Sequence, residues 1–143
     1  MHAAHRTPHV ARPANRYNSN VLKRLWLWLP PIVYMAIIFH LSSESNPLPQ
    51  LTTHVWDKLL HTTEYAGLAV LVCRALLGEG VSWMTAIVAA AAFASFYGGT
   101  DEFHQLFTPG RDSSVFDWFA DTIGSSLGAS AYAAIIRVLT RAG

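Results

Sequence analysis

The run Asp57-Lys58-Leu59-Leu60-His61-Thr62-Thr63-Glu64-Tyr65 sets two acids, a lysine and a histidine at helical spacing. At about 100° per residue, Asp57, His61 and Glu64 share an arc of about 60°, with Glu64 about 10 Å further along the axis than Asp57. Such a face can move protons as a general acid or base, or hold a cation through oxygen and imidazole ligands. A second run, Tyr97-Gly98-Gly99-Thr100-Asp101-Glu102-Phe103-His104-Gln105, puts Tyr97, Asp101 and Gln105 on one face, with Glu102 and His104 on opposite flanks. After a Pro109-Gly110 turn comes Arg111, whose planar fork suits a carboxylate or a phosphate. Ser114 and Asp117 are spaced as a helix N-cap with an acid reaching back. Asp121 lies one turn deeper, beyond the reach of capping, in line with Asp117, Gly124 and Gly128.

Each of these has a plainer reading. Asp57 suits a helix N-terminus and Lys58 can snorkel, while Arg111 can simply pair with a neighbouring acid. His61 and Glu64 are harder to set aside, because the segments carrying them are apolar enough for lipid, where an ionisable group is costly unless paired or facing water.

The chain has 143 residues, 52% hydrophobic and 13% charged, against about 45–50% and about 25% in soluble domains. A net charge of +1 does not suggest a nucleic-acid partner. The one cysteine, Cys73, excludes an intramolecular disulfide framework and a cysteine-based zinc site. Mean hydropathy is +0.26, an average lowered by residues 1–20. These hold Arg6, Arg12, Arg16, three histidines and two prolines, and are expected to form a disordered basic tail.

Residues 21–143 are expected to form one all-α membrane domain of four transmembrane helices. The runs are Val21 to Leu41, about His54 to Leu77, about Ser82 to Phe107 and Val115 to Leu139. Each approaches the roughly 20 residues needed to cross a hydrocarbon core of about 30 Å. Pro30 and Pro31 predict a kink in the first, or a regular helix that begins there. A signal peptide would also place an apolar core after basic residues, but no small-x-small cleavage site follows. The short connection from Gly78 to Val81 makes segments two and three an antiparallel hairpin, so His61 and Glu102 are expected at adjacent ends. Gly124-x-x-x-Gly128 is a strip that admits another helix closely and would bring Asp121 against those ends.

Lysine and arginine mark cytoplasmic loops. With both termini cytoplasmic, eight of the ten bases fall inside and only Lys58 and Arg111 outside, whereas eight of the nine acids fall on the outer half. The chain is therefore expected in a cytoplasmic membrane, with bases and acids sorted to opposite sides.

The run from Tyr97 to Arg111, followed by Ser114, Asp117, Gly124 and Gly128, resembles the VanZ-like family of small bacterial membrane proteins. Asp57-Lys58-x-x-His61-x-x-x-Tyr65 is similar to that family's other motif, and together they cover about residues 25–140. The resemblance implies a bacterial envelope setting and a link to low-level resistance to the glycopeptide teicoplanin. It marks Asp57, Lys58, His61, Tyr65, Glu102, Gln105, Arg111, Ser114 and Asp117 as signature positions. Asp121 stands where the family commonly has asparagine.

Three functions are compatible with these residues. An accessory protein with a polar outer pocket would alter access to a glycopeptide or to lipid-linked cell-wall intermediates. A hydrolase or transferase acting on a lipid-linked phosphate would use His61 as base or nucleophile, Glu102 and Asp117 as acid or metal ligands, and Arg111 as the phosphate clamp. Asp57, Lys58, Tyr65, Gln105, Ser114 and Asp121 would line either pocket. Translocation of protons or ions would need a path, and none continues between Asp121 and Arg137. No organic cofactor is implied. A divalent cation enters through the hydrolase reading, because phosphate binds poorly to so negative a site without one. The bilayer is the expected partner; oligomeric state is left open by the sequence.

Overall fold

The structure, a computed structural model, describes the backbone of residues 14–45 and 54–143 and the side chains of residues 18–45 and 58–143. Four helices account for nearly all of it: α1 (Ala14–Ser43), α2 (His54–Gly78), α3 (Trp83–Gln105) and α4 (Val115–Ala142). The all-α expectation and the segment positions hold. Helix α1 begins inside the stretch expected to be disordered, seven residues before Val21, and passes through both Pro30 and Pro31 without interruption. Residues 1–13 of the expected tail lie outside the described residues.

The turn chemistry follows from the residues that supply it. At the end of α2, Gly80 has φ +87°, and two bonds, Gly80 N–H to Leu77 O and Val81 N–H to Leu76 O, both 3.0 Å, close the helix. That pair is a Schellman motif, which needs a left-handed residue where glycine stands. Ser82 then caps α3, its hydroxyl accepting from the Thr85 amide at 3.4 Å. At the other end of the bundle, Gly110 has φ +79° and the Arg111 amide bonds Thr108 O at 3.2 Å. Pro109 and Gly110 thus fill the two central places of a type II turn.

The helices run up, down, up, down. Arg24 of α1 pairs with Glu79 at the lower end, Nε to Oε1 3.5 Å, and at the upper end Ser43 Oγ lies 3.2 Å from His104 Nε2. Helix α2 packs against α1, α3 and α4, whereas α1 and α4 do not meet among the described residues. Its Tyr65, Leu68, Ala69, Val72 and Cys73 form the centre of the core. The partners make room with small residues: Ala86, Ala90, Ala94 and Gly98 recur every fourth residue on the buried face of α3, and Gly124 and Gly128 on that of α4. A Cβ at Gly124 would lie 2.0 Å from Thr62 O, and one at Gly128 2.3 Å from Ala66 O. The two glycines therefore let the α4 and α2 backbones touch, as the G-x-x-x-G spacing predicts.

Helices α1, α3 and α4 are long and apolar enough to cross a membrane; α2 is not by that measure. The reason is positional. The outer helices turn large apolar side chains outward, among them Trp26 and Phe96, each 73% exposed. On α2 only Leu59 and Leu60 are exposed large hydrophobics among its described residues. A helix wrapped by three others can carry Lys58, His61, Glu64 and Arg74 without presenting them to lipid.

Candidate functional site

The upper ends of α2, α3 and α4 converge on a buried polar cluster. His61, one turn before Tyr65 on α2, faces α4, where its Nδ1 lies 3.0 Å from Asp121 Oδ1. The same nitrogen lies 3.8 Å from Glu102 Oε1 on α3. Asp121 is wholly buried, and Glu102 and His61 nearly so, at 6% and 9% exposure. Gly98 makes this possible, because a Cβ there would lie 2.7 Å from Asp121 Oδ2. Three helices thus place one imidazole and two carboxylates together, as the antiparallel hairpin and the glycine strip predict.

Glu102 is held at its other oxygen. The backbone N–H of Ser114 donates to Glu102 Oε2 at 2.7 Å, while the Ser114 hydroxyl caps α4 by accepting from the Phe116 amide at 3.2 Å. In a capping box, an acid three residues into the helix reaches back to the N-cap amide. Here Glu102 of α3 takes that place, which corrects the expectation for Asp117. Asp117 instead accepts a short hydrogen bond from Lys58 Nζ of α2, and Lys58 also stands over the Phe116 ring, 5.9 Å from its centroid. Asp117 is buried and Lys58 half-buried. The pair is neutral, and pairing is what allows a carboxylate at that depth.

Around this centre, Gln105 donates to Asp101 Oδ2 at 3.2 Å, both buried. Tyr65 is fully buried against Tyr97, ring centroids 6.4 Å apart, and Tyr97 donates to Met35 O of α1 at 2.9 Å. Glu64 lies within electrostatic reach of His61, Asp101, Asp121 and Arg111. Arg111 does not pair with a carboxylate among the described residues. Its Nη2 donates to Leu41 O at 3.4 Å, tying the loop to the end of α1. His104 turns away from the cluster and packs on Phe39, centroids 4.8 Å apart. The side chain of Asp57 lies outside the described residues.

Several buried polar atoms here find no hydrogen-bond partner: Tyr65 OH, Glu102 Oε1, Asp121 Oδ2 and Ser125 Oγ. Native interiors leave few such groups. Ser125 carries no signal as a residue type; its place one turn below Asp121, on the face that holds Gly124 and Gly128, is what buries it. Asp101 is likewise more deeply buried than its position near a helix end suggests. Chemically, the cluster can hold a proton between an imidazole and two carboxylates, or a cation among them.

No curated protein and no solved structure matches the chain. The sequence profile of the VanZ/LLP1 family matches residues 9–137, a span that contains all four helices except the last residues of α4. With both motifs lying inside that span and meeting at one end of a membrane-type helical bundle, the chain belongs to the VanZ/LLP1 family.

Proposed function

We propose that this protein is a four-span protein of the bacterial cytoplasmic membrane, with both termini in the cytoplasm. Its outer-half cluster receives the polar head of a lipid-linked cell-wall intermediate and so alters access to that intermediate, as in low-level teicoplanin resistance. The fourth span is α2. Its 25 residues extend about 37 Å as a helix, and it packs against each of the other three, so its charges have protein neighbours to face. The orientation rests on the charge sorting read from the sequence, which assigns eight of the ten bases to the cytoplasmic side and eight of the nine acids to the outer half.

The observation that carries the reading is the convergence of His61, Glu102 and Asp121 at one end of the bundle, with Arg111 in no direct ion pair among the described residues and Glu64 only within longer electrostatic reach of it. A guanidinium not consumed by a neighbouring acid remains able to meet a lipid phosphate bidentately. Below the cluster no acidic, basic or histidine residue follows in α4 until Arg137, and none precedes Asp101 in α3. A one-sided receptor fits that distribution better than a translocation path. The hydrolase or transferase reading draws on His61 and Glu102 with Asp117, which here is paired with Lys58, and is separated by turnover of a lipid-linked phosphate by the purified protein.

Expression in a teicoplanin-susceptible bacterium is expected to raise the inhibitory concentration of teicoplanin. His61→Ala, Glu102→Gln and Arg111→Ala are each expected to return it to the vector level, the latter two with the amount of protein in the membrane unchanged. An unaltered phenotype in all three variants contradicts a site at this end.

A further inference from the structure

We propose that His61, Glu102 and Asp121 bind one divalent cation, Zn2+ or Mn2+. The inference rests on the proposed function only for the choice of site. One ligand atom from each residue lies within 4.8 Å of the other two. The separations of 3.0 Å from His61 Nδ1 to Asp121 Oδ1 and 3.8 Å from His61 Nδ1 to Glu102 Oε1 straddle the spacing of about 3.4 Å between ligands bound about 2.1 Å from a tetrahedral ion. Little movement is needed to close the three around a metal.

Glu102 provides an independent sign. Its side chain is only 8% exposed, its Oε2 is fixed by the Ser114 N–H, and its Oε1 points toward His61 with no hydrogen-bond partner. An outer donor that orients a carboxylate, leaving the second oxygen bare and aimed at an imidazole, is the arrangement by which metal ligands are held. The same bare oxygen is costly to bury if nothing binds it.

Charge points the same way. Asp121 and Glu102 face His61, Glu64 and Asp101 lie within electrostatic reach, and among the described residues here only Asp117 is matched, by Lys58. A divalent cation offsets the two carboxylates that touch His61, which is more than one added proton does in a poorly screened interior. One imidazole nitrogen among the ligands points away from Mg2+ and Ca2+, which take oxygen shells, and toward ions bound by mixed nitrogen and oxygen ligands, Zn2+ before the harder Mn2+. Three protein ligands leave a position open.

The test uses the full chain in detergent, stripped with EDTA and then equilibrated with Zn2+, Mn2+, Mg2+ or Ca2+ in the absence of lipid substrate. Bound metal is measured by mass spectrometry. About one equivalent of Zn2+ or Mn2+ is expected, with His61→Ala, Glu102→Gln and Asp121→Asn each weakening it by at least about tenfold. Asp112→Asn, an exposed acid of the neighbouring loop, is expected to leave binding unchanged. Should a variant fail to fold, Co2+ added to the stripped wild type gives the visible absorption of a site with imidazole ligation. Absence of stoichiometric Zn2+ or Mn2+, preference for Mg2+ or Ca2+, equal binding by the three variants, or a Co2+ spectrum of the hexaquo ion overturns the inference. Metal binding without any teicoplanin phenotype keeps this site and removes the proposed function; a phenotype without metal does the reverse.

Discussion

Replacing Gly124 with valine is expected to be among the most destabilising single changes on α4. A Cβ at that position would stand 2.0 Å from Thr62 O, an atom of the α2 backbone that has no rotamer to escape into. Overpacking a core ordinarily costs about 1–3 kcal/mol because side chains shift to absorb it. At Gly124 a whole helix must move, so a loss of about 3 kcal/mol or more is expected. Moving α4 away also separates Asp121 from His61 and Asp117 from Lys58, adding the loss of both pairs. Gly128→Val should behave alike, since its Cβ would meet Ala66 O at 2.3 Å. Leu127→Val lies between them on the exposed face and should change stability by no more than about 0.5 kcal/mol. Unfolding in mixed detergent is the measurement; a Gly124→Val protein as stable as Leu127→Val contradicts the packing described.

The second large effect is at His61 and Asp121. Their 3.0 Å contact is buried on both sides, so truncating one partner strands the other away from water, a loss of about 3–5 kcal/mol in buried ion pairs. Asp121→Ala and His61→Ala are therefore each expected to be strongly destabilising. The double variant should lose much less than their sum, since nothing is left stranded between them. A double-mutant cycle on metal-stripped protein should give a coupling of about 1–3 kcal/mol. Additive losses would mean that the two side chains do not depend on each other.

Much of this arrangement is legible in the chain itself, for reasons that can be located. The hairpin between α2 and α3 is legible because Gly78 to Ser82 leaves no other connection, and that alone puts His61 beside Glu102. The pairing of α4 with α2 is legible because glycines four residues apart have no better use in an apolar helix. Side-chain partners are not, because they depend on how each helix is rotated about its axis. Glu102 reaching the Ser114 amide, and Asp117 released to Lys58, exchange the roles that local spacing assigns. The central place of α2 is also hidden. Its own composition, with Lys58, His61, Glu64 and Arg74, gives no sign that it is the helix the three others surround. The start of α1 at Ala14 rather than Val21 shows how weakly composition marks a boundary where polar residues can still be helical.

The proposed orientation sets His61, Glu102 and Asp121 at the outer side of the membrane, and side-specific labelling tests that most directly. Single cysteines placed at Asp112, beside the cluster, and at Glu79, in the opposite hairpin, would be introduced after Cys73→Ala. A membrane-impermeant maleimide applied to intact cells is expected to label the Asp112 position, and to reach the Glu79 position only after permeabilisation. The opposite pattern would place His61, Glu102 and Asp121 on the cytoplasmic side and contradict the account.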